Sequence, residues 1–498
     1  MTPITNKASV VEITDYKYTT CSTSSGRTNL SSNFMGFFHS TFQVRCSTHG
    51  PTTAYSGTCR LDTGDCSLFK LEMRAIESMI EKYTAGLDND IDSLMHPVQV
   101  LDRNTKHRSL SAETILLTGS TGNLGSQLLV DLLSRDNIQR VYAVNRPSST
   151  QSMMQRHSDR FIDKGLDVSL LASAKLVFLE GDISLPDLGL SKIVLDEMRQ
   201  DLTMIIHNAW TFGFRKTLPF FEDHVKGTRT LIDLARSSVQ SEHLRFLFAS
   251  TCSAMQSWDE RKGPYPEKLI SDAKHAVGSG YGESKYIAER ILAKSGLRAA
   301  SFRIGQISGL ENNGAWPIHE WIPATVNAAL RLGSLPIPNK EYQCRWIPMA
   351  TTSKAILEIG FTEGALPFAV NLQHPQAISG KFLMRGLQKM IVQELRLPSD
   401  SLPLVPHEEW IASLEKSASV MKSHRYIQVI AKVHDRLPPD SPDMDLTQAM
   451  RLSETMRTLA PIENSDIEKW VLYWVKSGFL DRSMLHAWRN KDEDPSHL

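Results

Sequence analysis

The run ETILLTGSTGNLG, residues 113–125, places three spaced glycines directly after an apolar segment and at the start of an amphipathic one. In such a strand–turn–helix unit, Gly119 allows the tight turn, Gly122 lets the backbone approach a pyrophosphate, and Gly125 allows close helix–strand packing. Amides at the start of the helix attract phosphate. The run therefore predicts a dinucleotide-binding turn, whose cofactor contacts are Gly119, Ser120, Thr121, Gly122, Asn123, Leu124 and Gly125.

Short apolar segments continue to alternate with amphipathic ones after this turn. Segments typical of strands are RVYAVNR, AKLVFLEGD, LTMIIHNA and RFLFAST, and each is separated from the next by a helical pattern. Beyond about residue 310 the alternation weakens, while proline, tryptophan and helical segments become more frequent. The sequence thus predicts an α/β fold, a Rossmann-type doubly wound parallel sheet with a smaller, mostly helical C-terminal substrate lobe.

The chain divides into four predicted regions. Residues 1–67 are rich in Ser and Thr without strand or helix periodicity, and we expect a poorly ordered leader. Residues 68–112 are predicted to form a helix and a linker. Residues 113–310 would be the dinucleotide-binding Rossmann domain, and 311–498 mainly the substrate-binding helical lobe, with some returns to the sheet.

Composition excludes several classes of protein. The 498 residues contain 55 Lys and Arg against 55 Asp and Glu, and this zero net charge argues against a nucleic-acid-binding role. No apolar run is long enough for a membrane span or a signal peptide, so we expect a cytoplasmic protein without a membrane partner. The six cysteines include no CxxC pair, and we predict no metal site.

The ends of the following strands indicate which nicotinamide cofactor is bound. Arg146 follows the second strand, where a site specific for NAD would carry an acid for the ribose 2′-hydroxyl. A guanidinium suits a 2′-phosphate, so NADP(H) is favoured, although Arg146 could also be a solvated surface residue. Asp182 and Ile183 end the third strand beside the expected adenine. Asn208 and Ala209 end the fourth, beside the expected ribose and nicotinamide.

Tyr281 and Lys285 are the candidate chemical centre. On a helix their four-residue spacing places both on one face, and a nearby ammonium lowers the pKa of a phenol. Lys285 could also hold the nicotinamide ribose, so both residues are predicted cofactor contacts as well. A hydroxyl at the end of the fifth strand could share the substrate oxygen, and Thr251 is preferred to Ser250.

Taken together, these motifs resemble the extended short-chain dehydrogenase/reductases. TGSTGNLG, HNAW (207–210), YGESK (281–285), RIGQISG (303–309) and GAWPIHEWIP (314–323) look more narrowly like the thioester reductase domains of carboxylic acid reductases, α-aminoadipate reductases and fungal enzymes related to nonribosomal peptide synthetases. The resemblance implies that Thr251, Tyr281 and Lys285 form the catalytic set. In the run HVKGT (224–228), His224 takes the position where extended reductases often have Asn.

The resemblance also implies the reaction. We expect an NADPH-dependent reductase that converts a carrier- or CoA-bound acyl thioester to an aldehyde, or further to an alcohol, in secondary metabolite biosynthesis. Its partner would be a separate carrier protein or synthase. One alternative is an NADP-dependent reductase of a diffusible aldehyde or ketone, or a fatty acyl-CoA reductase. Another is a non-catalytic NADP-binding remnant of a truncated synthetase.

Overall fold

A computed structural model describes residues 67–87, 112–213, 216–337, 343–420 and 443–485. Nearly all of the predicted leader, the four cysteines within it, and most of the predicted linker lie outside these residues. Within the described residues, seven parallel strands form one sheet in the order β3-β2-β1-β4-β5-β6-β9. Its strands are β1 (Glu113–Thr118), β2 (Ile138–Asn145), β3 (Leu176–Glu180), β4 (Met204–His207), β5 (Arg245–Thr251), β6 (Arg298–Ile304) and β9 (Ala369–Leu372).

Helices cover both faces of this sheet. The described helices up to residue 360 are α1 (Ser67–Thr84), α2 (Asn123–Leu133), α3 (Met153–Lys164), α4 (Lys192–Asp201), α5 (Glu222–Arg236), α6 (Gly280–Ala293), α7 (Trp321–Leu332) and α8 (Met349–Gly360). Of these, α7 packs in the C-terminal lobe and the others cover the sheet. One apolar layer joins α1, α4, α5 and α6 to the sheet, and the opposite layer is built from α2, α3 and α8. The strand order reverses between β1 and β4, which is the point where doubly wound sheets bind ligands.

The N-terminal helix α1 packs onto the sheet's helical layer. Ile76 is fully buried, and the main-chain oxygens of Tyr83 and Ala85 accept hydrogen bonds from Arg229 of α5 at 2.8 and 2.7 Å. Glu222 of α5 accepts a further hydrogen bond from the Tyr83 hydroxyl at 2.9 Å. The predicted helix therefore exists, and it belongs to the same folded unit as the sheet.

The C-terminal lobe is mostly helical, with short strands. It contains α7, α9 (Gly380–Glu394), α10 (His407–Val420) and α13 (Asn464–Lys476), with the strand pairs β7 (Leu335–Ile337) with β11 (Leu404–Pro406) and β8 (Gln343–Cys344) with β10 (Ile378–Ser379). Two short helices, α11 (Thr447–Leu452) and α12 (Glu454–Arg457), return to the sheet side, where residues of both join the apolar layer under α8. The lobe core is rich in tryptophan, with the Trp316 ring 5.4 Å from that of Trp346 and 5.0 Å from that of Trp470.

Candidate active site

The glycine turn lies between β1 and α2, against the end of β4. Gly119 has a φ of +72°, and a Cβ there would lie 2.8 Å from the Cα of Ala209. A Cβ on Gly125 would lie 2.0 Å from the carbonyl oxygen of Gly119, so only glycine allows the helix this close to the turn. No described side chain caps the first turn of α2. Its amides and this cradle fit the pyrophosphate of a dinucleotide.

Side chains within the turn mostly serve the protein itself. Ser120 is fully buried; its hydroxyl donates to Nε2 of His157 at 2.9 Å and accepts from the Asn145 amide at 2.7 Å. The other ring nitrogen of His157 donates to a main-chain oxygen, and burial lowers the pKa of His157, so the ring is a neutral acceptor for Ser120. The Thr121 hydroxyl donates a hydrogen bond to the side-chain oxygen of Asn145 at 3.3 Å. Leu124 points into the core.

The sequence reasoning missed α3 as the support of this turn. His157 contacts Ser120, and Nε of Arg160 donates to the main-chain oxygen of Thr121 at 3.2 Å. The available signal was their spacing of three along one helix, which places both on the same face.

A buried hydrogen-bond network fixes the end of β4 beside the turn. The Thr118 hydroxyl accepts from the main-chain amides of Asn208 and Ala209 at 3.1 and 3.0 Å, and donates to Nδ1 of His207 at 3.0 Å. Nε2 of His207 donates to Thr228 at 3.1 Å, because that hydroxyl gives its own proton to a main-chain oxygen one turn earlier. Burial holds the pKa of His207 well below its ordinary value. Asn208 and Ala209 are thus placed against the glycine turn.

Two arginines lie near the ends of β2 and β3. Arg146 is exposed and follows β2. Asp182, after β3, accepts from the amide and hydroxyl of Ser184 at 2.9 and 2.8 Å. Partial burial raises the pKa of Asp182, but these bonds and the charge of Arg146 outweigh it and hold the pKa below its usual value. The sequence reasoning missed Arg156 of α3, which lies 3.9 Å from the carboxylate of Glu180 at the end of β3. Its terminal NH2 group also donates to the sulfur of Met153, but its buried Nε has no hydrogen-bond partner among the described residues.

Ile183, the other residue predicted at this edge, is buried. Its side chain packs on α5, where a Cβ on Gly227 would lie 2.6 Å from it. Its side chain is therefore part of the packing between this edge of the sheet and α5.

Thr251 and Tyr281 meet at the carboxyl edge of the sheet. Thr251 ends β5, and its side chain lies near the Tyr281 phenol, where it acts to lower the pKa of Tyr281 against the larger effect of burial. The Tyr281 ring packs edge-on against Phe212 and Phe221, with centroid distances of 5.1 and 6.1 Å. Ser250 instead donates to the buried carboxylate of Glu289 at 2.5 Å. Of the two hydroxyls considered from the sequence, the geometry favours Thr251.

Lys285 lies one helical turn after Tyr281 but faces other groups. Its ammonium donates to the main-chain oxygen of Ala249 at 2.5 Å and lies over the rings of Trp210 and Phe248, 4.1 and 4.7 Å from their centroids. Burial holds the pKa of Lys285 well below its ordinary value. Burial raises the pKa of Tyr281, and Cys252 acts in the same direction. The rise is opposite to the direction expected from the sequence, and the Lys285 ammonium lies against a carbonyl oxygen and two aromatic rings instead.

Trp210, whose ring lies against the Lys285 ammonium, packs in turn on His224. Their rings stack with centroids 5.0 Å apart, and Nε2 of His224 accepts from the amide of Thr211 at 3.3 Å. Burial lowers the pKa of His224 to about 4, and the charges of Lys285 and Arg146 act in the same direction. His224 is therefore a neutral acceptor that holds the loop after β4.

Two absences apply to the described part of the chain. No group of three or more His, Cys, Asp and Glu side chains there could hold a metal ion. None of its helices is both long and apolar enough to cross a membrane.

Comparison with known proteins gives both sequence and structural relatives. The family described as "Male sterility protein", an NAD-binding group, matches residues 117–356. The adenylate-forming reductase Nps11 of Serpula lacrymans is 41% identical over 424 residues, which are 81% of this chain but 38% of that protein. The chain therefore spans little more than a third of this relative's length.

Solved structures share the architecture. The terminal R domain from the myxalamid PKS-NRPS pathway superposes with a TM-score of 0.64 at 24% identity, covering 74% of this chain and 92% of that one. A thiolation-reductase di-domain from an archaeal non-ribosomal peptide synthetase gives 0.61 at 17% identity, covering 82% and 83%. These likenesses confirm the predicted Rossmann-type fold.

Proposed function

We propose that the chain is a thioester reductase of the extended short-chain dehydrogenase/reductase superfamily and that it reduces an acyl thioester to an aldehyde with NADPH. The observation that carries the proposal is the contact between Thr251 and Tyr281 at the carboxyl edge of the sheet. Two hydroxyl groups meet there on the side of the sheet where the glycine turn lies. That arrangement suits an oxygen atom that gains negative charge during reduction.

The glycine turn would hold the pyrophosphate of the dinucleotide, and the cofactor, when bound, would supply a hydride for the carbonyl carbon of the thioester. Thr251 and Tyr281 would donate hydrogen bonds to the carbonyl oxygen as its charge grows, and Tyr281 would deliver the proton that completes the addition. The resulting hemithioacetal then breaks its C–S bond, which releases the aldehyde and a free thiol. Because burial raises the pKa of Tyr281, the phenol retains its proton at neutral pH.

Lys285 would hold the nicotinamide ribose in this scheme. To reach the ribose hydroxyls, its ammonium would leave the carbonyl oxygen of Ala249, which it contacts at 2.5 Å. The rings of Trp210 and Phe248 would then shield one side of the freed ammonium from water.

The preference for NADPH over NADH rests on the two arginines near the ends of β2 and β3. Arg146 is exposed where a site specific for NAD would carry an acid, and Arg156 has an unpartnered buried Nε among the described residues. Arg156 already lies 3.9 Å from the carboxylate of Glu180, and a 2′-phosphate would offer hydrogen bonds to its Nε and a charged partner to Arg146.

The thioester would be carried by a phosphopantetheine arm on a separate carrier protein, or by CoA. Support comes from the names of the relatives, which are adenylate-forming reductases and a thiolation-reductase di-domain. The product would enter the assembly of a secondary metabolite.

The test uses the purified chain, NADPH and a panel of acyl-pantetheine thioesters. We expect loss of nicotinamide absorbance together with release of aldehyde and pantetheine, identified by mass spectrometry. Turnover of free ketones or aldehydes alone would reject the proposal in favour of a reductase of diffusible carbonyl compounds. Cofactor binding without any turnover would favour the non-catalytic alternative.

A further inference from the structure

Glu320 of the GAWPIHEWIP run accepts hydrogen bonds from three separate parts of the protein. Its Oε1 accepts from the side-chain amide of Asn123 at 3.1 Å. Its Oε2 accepts from the indole of Trp316 at 2.9 Å and from the side-chain amide of Gln306 at 3.1 Å. Burial raises the pKa of Glu320, and these neutral donors act against that rise.

These three donors connect the glycine turn to the substrate lobe. Asn123 is the first residue of α2, Gln306 follows β6, and Glu320 immediately precedes α7. Gln306 extends the connection, because its side-chain oxygen accepts from the indole of Trp321 at 2.8 Å. Its main-chain oxygen accepts from the amide of Ile347 at 2.9 Å. The carboxylate therefore lies at the junction of the phosphate-binding turn, the exit of β6 and the lobe.

A buried lysine adds a fourth element. Lys164 of α3 is 1% exposed, and its Nζ has no hydrogen-bond partner among the described residues. Burial lowers the pKa of Lys164 to about 8; the charge of Arg160 acts in the same direction, and those of Asp163 and Glu320 oppose it. Helix α3, which supports the glycine turn, therefore places the positive charge of Lys164 where the carboxylate of Glu320 stabilises it.

The chemistry of this junction requires a carboxylate. Its two oxygens accept all three N–H groups, whereas a glutamine of the same shape has one accepting oxygen and an NH₂ group that would face a donor. At least one buried donor would lose its partner, which is costly in a low-dielectric site. Lys164 would also lose a nearby negative charge.

We propose that Glu320 is a positioning residue that couples cofactor binding at the glycine turn to the ordering of the substrate lobe. A pyrophosphate on the amides of the first turn of α2 would fix Asn123, whose side chain is bonded to Glu320. Ordering Asn123 then restricts the motion of Glu320 and Gln306. It also restricts Trp316 and Trp321, whose indoles are hydrogen-bonded to these two side chains. Binding energy at one site is transmitted in this way as reduced mobility at another.

This inference depends on binding of a nicotinamide cofactor and is independent of the thioester chemistry. The experiment measures amide hydrogen exchange of peptides covering α7, with and without saturating NADPH. In the wild type we expect NADPH to slow exchange in α7 by about five-fold or more, the lower end of typical couplings between sites. In Glu320→Gln, and separately in Asn123→Ala, this protection is expected to disappear while NADPH still binds.

Glu311→Gln is the matched control. Glu311 lies in the same segment and also accepts three hydrogen bonds, from the amides of Ala350 and Thr351 and the hydroxyl of Thr351, but it caps α8 and does not contact the glycine turn. We expect this variant to keep the NADPH-dependent protection of α7.

Any of three results would overturn the inference. One is unchanged protection in Glu320→Gln and Asn123→Ala. Another is equal loss of protection in Glu311→Gln, which would indicate general loosening of the segment. Cofactor binding is measured separately by nicotinamide fluorescence, and a wild type that binds neither NADPH nor NADH would also overturn it. Failure of thioester turnover alone would reject the proposed function and leave the coupling measurement intact.

Discussion

Replacing Tyr281 with phenylalanine tests the proposed chemistry most directly. The change removes one hydroxyl and keeps the ring, which packs edge-on against Phe212 and Phe221 at 5.1 and 6.1 Å. Fold and cofactor affinity are therefore expected to stay close to wild type. What disappears is the proton donor and one of two hydrogen bonds to the developing oxyanion. Loss of one such donor lowers kcat by about 10²–10³-fold.

The size of the loss in kcat depends on Thr251, the hydrogen-bond donor that remains in Tyr281→Phe. Thr251 would still hydrogen-bond the oxyanion, but its hydroxyl also accepts from the amide of Ser253 at 3.2 Å, and it has no ready proton source of its own. We therefore expect a loss of at least about 10² in kcat, with little change in NADPH affinity.

The pH dependence gives a second readout. Burial raises the pKa of Tyr281 above its ordinary value of 10.0, so its acid form is present throughout the neutral range and is lost only as pH rises through the raised pKa. The wild-type kcat is expected to show no loss of this acid near neutral pH. An alkaline limb near neutrality that vanished in Tyr281→Phe would show that another group, such as Lys285, lowers the pKa once cofactor binds.

The assay follows loss of nicotinamide absorbance with an acyl-pantetheine thioester, and cofactor affinity is measured by fluorescence titration. Tyr286→Phe is the matched control, because Tyr286 lies on the same helix and is buried in the core with its hydroxyl bonded to Arg290 at 2.8 Å. Its kcat is expected to stay near wild type. If Tyr281→Phe kept more than about a tenth of wild-type turnover, outside the range for donor loss, the reasoning would be refuted.

Arg146→Ala is expected to weaken NADPH by roughly 10-fold, the lower end of a charge-assisted contact because the side chain is exposed, and to spare NADH; equal losses in fluorescence titrations would contradict this. Deleting residues 1–67 is expected to leave the urea unfolding curve unchanged, because this stretch has too few apolar residues in register to contribute a core. Ile76→Ala, at a fully buried position, is expected to cost about 2–5 kcal/mol of unfolding free energy. Lys285→Ala is expected to lower kcat and NADPH affinity together, because the ribose loses its holder; a fall in kcat alone would count against that role. Burial raises the pKa of Glu283 from 4.5 to about 7, so the folded state keeps a proton that the unfolded state releases, and stability falls as pH rises through that window. Glu283→Gln removes this pH-dependent loss. Above neutral pH its unfolding free energy in urea titrations is expected to exceed that of the wild type by on the order of 1–3 kcal/mol, and below pH 4.5 this difference is expected to disappear.

Local patterns in the sequence were sufficient for the sheet and the cofactor turn. Alternating strand and helix segments imply a parallel sheet, since parallel neighbours need crossover helices. The positive φ of Gly119 and the close contact at Gly125 are properties that short-range sequence can report, because only glycine accepts them. The helix that carries Tyr281 likewise follows from spacing within one turn.

Contacts between distant parts of the chain were decided only by the tertiary structure. Whether Ser250 or Thr251 faces the site depends on which side of β5 meets Glu289, and neighbouring residues of a strand point to opposite faces. The ammonium of Lys285 turned to Ala249 because a carbonyl and two aromatic rings surround it there. Asn123 and Glu320 are 197 positions apart, and no periodicity links them. Backbone conformation and burial pattern are encoded locally, whereas the direction of a buried polar side chain depends on which partners the fold brings within hydrogen-bond reach.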